Sequence, residues 1–184
     1  AIPFSSSEAE VISENADGTR TWRYEANSAG GILYAGDYIC EQIEAGGMTI
    51  EFYYGRKHQA VMAEAGAVDA VKAVVDYCTE HYGKLSYGTG DTLKLIQSRV
   101  AGGGYAVDGA SLLDETDFTA ANLGDVQKGG GAGEVMIHEL VHQWWGLGNM
   151  FDTVDSTSPW SAEGLTVYTT YRIVKELYGE DYAR

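Results

Sequence analysis

His138 and His142 stand four residues apart in the stretch His138-Glu139-Leu140-Val141-His142, and this spacing constrains the chain more than any other feature. Residues i and i+4 lie one turn apart on the same face of a helix, so both imidazoles can reach a single ion. Neutral imidazoles are good zinc ligands, and Glu139 projects beside them, where a metal-held water would sit. Val135, Met136, Ile137, Leu140 and Val141 make the surrounding segment apolar, as suits a buried, rigid helix predicted over 132–147. The bland alternative is a helix whose histidines cap carboxylates or carbonyls. Against it, two of the chain's only four histidines fall in this motif. His58, at a strand-to-helix junction, and His81, near a helix end, are read as ordinary structural histidines.

A third ligand is available downstream. Glu163 follows His142 after twenty intervening residues, enough for one helix to end, the chain to reverse, and a second helix predicted over 161–178 to return a carboxylate. Asp152 and Asp155 are alternatives, but they lie in the polar, turn-rich connection 148–159. Two histidines and one carboxylate leave the fourth tetrahedral position to water, the arrangement of a catalytic rather than a structural zinc site. One Zn2+ per chain is the expected cofactor.

Upstream, the periodicity is that of β-structure. Residues 19–26 alternate, with Trp22 and Tyr24 on one side and Arg23 and Glu25 on the other. Residues 48–54 do the same behind the turn signal Gly46-Gly47, with Met48, Ile50, Phe52 and Tyr54 on one face. Too few strands are present for a complete sandwich, so they are read as the tail of an upstream β-domain. Near Arg56 the period becomes helical: Val61, Val68, Val71, Val75, Cys78 and Tyr82 predict a helix over 58–82, with Gly83 as its stop. Strands are predicted over 91–100 and 110–114, separated by a turn at Gly102, Gly103 and Gly104. A polar loop over 117–131 ends in a glycine run, read as a connector because no GxGxxG or Walker spacing follows it.

Charge excludes some functions. With 12 Lys and Arg against 27 Asp and Glu, the formal charge is −15, and no basic cluster interrupts it, so nucleic-acid binding is not expected. No apolar run approaches the ~20 residues of a membrane helix, so no membrane contact by this stretch is expected. Cys40 and Cys78 lack CxxC spacing and are read as buried free thiols, a Cys40–Cys78 bridge being the alternative. The chain starts at Ala1 and ends in helix-like composition, and is read as a piece of a longer protein.

The motif residues also carry a family resemblance. His138-Glu139-Leu140-Val141-His142-Gln143-Trp144-Trp145-Gly146 is similar to the HELAHQWFG segment of the membrane alanyl aminopeptidase family of gluzincin zinc metallopeptidases. Trp160-Ser161-Ala162-Glu163-Gly164-Leu165-Thr166-Val167-Tyr168 resembles its WLNEGFAxY segment. The likeness covers residues from about 56 to the end. It implies an α+β fold: a thermolysin-like catalytic lobe at 56–184, truncated at its C-terminus, preceded at 1–55 by the last strands of a β-domain. It implies His138, His142 and Glu163 as the metal ligands, in preference to Asp152 or Asp155. The implied activity is aminopeptidase-like, zinc-dependent hydrolysis of a peptide substrate, with Glu139 as general base on a zinc-bound water. The strand near 93–99 is expected to be an edge that pairs with the peptide.

Three departures accompany the resemblance. The interval between His142 and Glu163 is longer than is usual in the family. The family's GAMEN loop matches best at Gly103-Gly104-Tyr105-Ala106-Val107-Asp108-Gly109, so Ala106 stands where the amine-binding glutamate belongs, with Asp108 or Glu115 as candidate substitutes. The family's transition-state tyrosine lies beyond Arg184, and Tyr168 and Tyr171, like Trp144, Trp145 and Trp160, are read as packing residues. An endopeptidase on the same scaffold is therefore one alternative, and a non-catalytic, zinc-stabilised binding module is another. Family members occur both at membranes and in the cytosol, so the resemblance assigns no compartment; a membrane-associated parent protein is the first expectation and a cytoplasmic one the alternative.

Overall fold

The computed structural model describes residues 2–3, 9–24, 33–85, 91–99, 103–124, 132–148 and 160–183. Its centre is a five-stranded sheet built from β5 (Tyr38–Ala45), β6 (Met48–Gly55), β7 (Thr92–Ser98), β8 (Gly104–Val107) and β9 (Ala110–Asp114), in the order β5-β6-β7-β9-β8. β6, β7 and β9 run parallel, with Ile50 opposite Leu93 and Leu95 opposite Ser111, while the outer strands β5 and β8 are antiparallel to their neighbours. A parallel pair needs a crossover, and two helices supply it between β6 and β7. These are α1 (Gln59–Ala65) and α2 (Ala67–Tyr82). The single helix predicted over 58–82 is divided because Gly66 takes a left-handed conformation at φ +64°, which only glycine adopts without strain.

β6 shows the predicted alternation, burying Met48, Ile50, Phe52 and Tyr54. β7 does not alternate: all of Leu93 to Ser98 is buried, the pattern of a strand covered on both faces. One face carries the main core, in which Ile50, Phe52, Leu93, Leu95 and Leu113 meet Val71, Val75 and Cys78 of α2. The other face carries Ile2, Ile96, Ala110 and Leu112, with Tyr34, Tyr38, Tyr53 and Val107 packed around them.

The expected division at 55/56 falls at the end of β6. β6 pairs with β7, which puts residues 38–55 in the same sheet and core as the helical part. Local pattern shows that a strand is half-buried but not which partner lies beyond two helices. Further upstream, β1 (Ile2–Pro3) pairs with β4 (Leu33–Tyr34), and β2 (Ala9–Glu14) forms a separate hairpin with β3 (Arg20–Tyr24). In β3, Trp22 and Tyr24 are half-buried and Arg23 is exposed; Glu25 lies outside the described residues. Cys40 and Cys78 are both unbonded. Cys78 is buried, but Cys40 is exposed on β5, against the expectation of two buried thiols.

The expected edge strand is also corrected. β7 lies between β6 and β9, and the two edges are β5 and β8. β8 begins inside the glycine-rich stretch that the sequence presents as a turn. Part of the expected 117–131 loop is helix α3 (Ala120–Gly124), and 125–131 lie outside the described residues. Among the described residues no helix is long and apolar enough to cross a membrane. The chain is thus mixed α+β, with its last two helices, α4 (Ala132–Val141) and α5 (Leu165–Tyr178), on the main-core face.

Candidate metal centre

α4 lies against the β8–β9 hairpin because Met136, Ile137, Leu140 and Val141 are all buried in the main core. Regular helix ends at Val141, short of the 147 that the sequence predicts, yet His142 N–H still donates to His138 C=O at 3.1 Å. That bond preserves the one-turn relation between the two histidines. Their rings stand perpendicular, at 88°, with centroids 4.6 Å apart. Gly146, at φ +91°, then turns the chain sharply. An added Cβ there would lie 2.9 Å from Ala162 Cβ, so a glycine is needed for the chain to pass this close to the start of the last helix.

The last helix starts with one wide π turn, Trp160–Gly164, before α5 continues as a regular helix. Wide turns of this kind occur often at functional sites because they re-aim a side chain without ending the helix. Here the turn carries Glu163. Its Oε2 lies 3.3 Å from His138 Nε2 and 3.5 Å from His142 Nε2. α5 is held in place by Thr166, Thr169, Thr170, Ile173 and Val174, the i, i+3, i+4, i+7, i+8 stripe of a core-facing helix. Asp152 and Asp155, the alternative ligands, lie outside the described residues.

These separations can be tested against a metal. Ligand atoms bound to tetrahedral zinc at about 2.0–2.2 Å are about 3.3–3.6 Å from one another. The two imidazole–carboxylate distances match that spacing, and the donor set of two nitrogens and one oxygen suits zinc. Glu139 also brings an oxygen within 4.8 Å of the two imidazole nitrogens. Glu163 Oε2 is the nearer to both and approaches Nε2 of each ring, so His138, His142 and Glu163 could hold a metal at these spacings. Glu139 is left beside it.

Glu139 is buried, only 7% exposed. Burial first, and then the Glu163 carboxylate, push its carboxyl up to about 7. Burial and the neighbouring His142 lower His138, partly offset by Glu163 and Glu134. Glu139's seat depends on β8: a Cβ at Gly104 would overlap Glu139 Cγ and lie 2.8 Å from its Oε1. Ser111 Oγ donates to Glu139 C=O at 2.9 Å and so ties α4 to β9.

Gln143 completes this tie. Its Oε1 accepts from Gly109 N–H at 3.0 Å, and its Nε2 donates to Val107 C=O at 3.0 Å and to Ser111 Oγ at 3.4 Å. One side chain therefore clamps the tip of the β8–β9 hairpin to the turn after His138 and Glu139. Composition and spacing give Gln143 and Ser111 no role and offer Gly104 only as part of a turn. Gln143 stands in the motif segment, but only the fold shows what it holds.

Ala106 is half-buried on β8, opposite Ser111. Of its candidate substitutes, Glu115 is engaged by Arg99 at 2.8 Å and by Lys57 at 3.6 Å, and Asp108 sits exposed near the hairpin tip. His58 Nδ1 meets Gln97 Nε2 at 2.6 Å, and His81 Nδ1 meets Tyr77 C=O at 2.9 Å, both outside the cluster and in structural contacts. Trp144 is buried and donates to Gly83 C=O at 2.8 Å. Trp160, Tyr168 and Tyr171 are exposed, against the expectation that they pack in the core.

No protein-family model and no curated protein sequence matches the chain. Solved structures do. An aminopeptidase N family protein from Idiomarina loihiensis superposes with a TM-score of 0.56 at 14% identity, over 77% of this chain and 26% of that one. A mutant M1 zinc metallopeptidase from Deinococcus radiodurans gives 0.54 at 16% identity, over 96% of this chain and 40% of that one. A two-domain M1 zinc metallopeptidase mutant bound to L-tryptophan gives 0.52 at 16% identity, over 96% and 39%. This chain therefore spans between about a quarter and two-fifths of the length of the structures it matches. At such identities the likeness is one of fold: the chain is built like part of an M1 zinc metallopeptidase.

Proposed function

We propose that this chain carries the catalytic centre of a zinc-dependent peptidase of the membrane alanyl aminopeptidase type, on a thermolysin-like, gluzincin lobe. The observation that carries the reading is the convergence of Glu163 Oε2 on both imidazoles, 3.3 Å from His138 Nε2 and 3.5 Å from His142 Nε2. In this reading His138, His142 and Glu163 hold one zinc ion. Zinc bound there supplies a Lewis acid that polarises a scissile carbonyl and lowers the pKa of water toward about 7. Glu139 accepts the proton of the attacking water and passes it to the departing amine. Its burial, in a seat bounded by Gly104, keeps that carboxyl near the donors and out of bulk solvent. β8, the edge strand beside Glu139, is the strand along which an extended peptide would align.

The same reading draws the start of the catalytic unit near Tyr38 rather than at 56, supported by the sheet that β5 and β6 share with β7. Endopeptidase action is the second reading. Ala106 supplies no carboxylate on β8, and Glu115 is engaged by Arg99 and Lys57, so neither anchors a free amine here.

Glu139→Gln tests the first reading. The variant should retain one zinc per chain by elemental analysis and lose hydrolysis of a chromogenic peptide; unchanged turnover eliminates Glu139 as the base. Paired free-amine and N-blocked peptides then separate the two peptidase readings, since only an aminopeptidase discriminates against the blocked form.

A further inference from the structure

α5 touches the His142 ring as well as the preceding turn does. His142 Nδ1 lies 3.1 Å from Trp145 C=O and 3.2 Å from Thr166 Oγ1, and Thr166 Oγ1 lies 3.5 Å from Trp145 C=O. A carbonyl oxygen can only accept, so Nδ1 must carry the hydrogen, and the lone pair is left on Nε2. Nε2 is the atom that faces Glu163. Thr166 is fully buried, so its hydroxyl has no bulk water to turn to, and it accepts from Nδ1–H while donating toward Trp145 C=O.

Trp145 is itself fixed. Its indole Nε1 donates to Thr169 Oγ1 at 2.9 Å, one turn along α5 from Thr166, and its ring meets Tyr82 edge-on at 5.1 Å. The carbonyl that orients His142 therefore belongs to a residue tied to the same helix that carries Glu163.

We propose that Thr166 is a positioning residue for the metal: the π turn and the α5 that continues it grip both edges of the His142 imidazole, with Glu163 at Nε2 and the Thr166 hydroxyl at Nδ1. The hydroxyl holds the ring plane and, with Trp145 C=O, the Nε2-available tautomer. This rests on the metal reading above. Partners of this kind raise ligand basicity and pre-set the ring, and losing one typically costs ~10–100-fold in metal affinity. Trp145 C=O remains when the hydroxyl is removed, which places Thr166→Val at the low end, about tenfold.

The test is zinc affinity by competition with a chromogenic chelator, together with the visible d–d spectrum of the cobalt-substituted chain. Wild type, Thr166→Val, Thr166→Ser and Thr170→Val are compared. Thr170 is a control on the same helix, buried, with a hydroxyl that has no hydrogen-bond partner among the described residues. Thr166→Val should bind zinc about tenfold more weakly with an altered cobalt spectrum, while Thr166→Ser and Thr170→Val bind as wild type does. Should Thr166→Val fail to fold, as seen by circular dichroism, Thr166→Ala against Thr166→Ser makes the same comparison. Wild-type affinity in Thr166→Val overturns the proposal. So does equal weakening in Thr166→Val and Thr170→Val, which would reflect packing, or weakening in Thr166→Ser. A wild-type chain that binds neither ion instead overturns the metal reading on which the proposal stands.

Discussion

Replacing Gln143 by leucine probes the joint between α4 and the hairpin that forms the edge of the sheet. Leucine has similar bulk but no polar atoms, so Gly109 N–H, Val107 C=O and Ser111 Oγ each lose the contact that Gln143 makes. Gly109 and Ser111 are buried, whereas Val107 is half-buried and its carbonyl can recover some hydration. An orphaned buried polar group costs about 1–3 kcal/mol. One fully orphaned amide, one partly hydrated carbonyl and one hydroxyl that still donates to Glu139 C=O give a total loss of about 3 kcal/mol. For a chain of this size that corresponds to a fall in Tm of about 6–12 °C. Urea and thermal denaturation measure the loss. Hydrogen exchange should show lost protection confined first to 104–111, because the hairpin is released before the core. Gln143→Glu is the companion variant: it keeps an acceptor for Gly109 N–H but turns the donor facing Val107 C=O into another acceptor, and should lose at least as much. A loss under about 1 kcal/mol in Gln143→Leu, with hairpin protection unchanged, would refute the clamp.

Two further outcomes follow from the same geometry. Gly104→Ala places a methyl where Glu139 sits; zinc stoichiometry should persist, because no ligand is touched, while peptide hydrolysis falls and stability drops by about 1–3 kcal/mol, and full activity would show that β8 does not seat the base. In the metal-free chain, the raised Glu139 pKa makes the folded state hold that proton more tightly than the unfolded one. The associated stability is fully present below about 4.5 and is lost as pH rises through about 7, by about 3 kcal/mol at most, at 1.36 kcal/mol per pKa unit. His138, lowered, works in the opposite sense, with stability gained as pH rises toward 6.5. Urea midpoints in EDTA between pH 5 and pH 8 should therefore fall more steeply in wild type than in Glu139→Gln, which keeps the histidine contribution; parallel profiles would remove the buried carboxyl from the account.

Much of the centre is local, and local features are legible in a sequence. The spacing of His138 and His142 needs only the pitch of a helix, and the alternation of Met48, Ile50, Phe52 and Tyr54 needs only the pleat of a strand. Acidic composition and the lack of a basic cluster likewise required no coordinates. Contacts between distant segments depended on the fold. Sequence alone could not show that β7 is internal and β8 is the edge, because parallel pairing joins strands separated by whole helices, and nothing in 92–98 names its neighbours. Nor could it show that Glu163 reaches the imidazoles from a wide π turn, or that Gly146 is where the two helical segments pass closest. Gln143 on the hairpin tip and Thr166 on the far edge of the His142 ring are of the same kind. Periodicity reports which way a side chain faces along its own element; what it meets there is set by the packing of elements that the chain brings together from far apart.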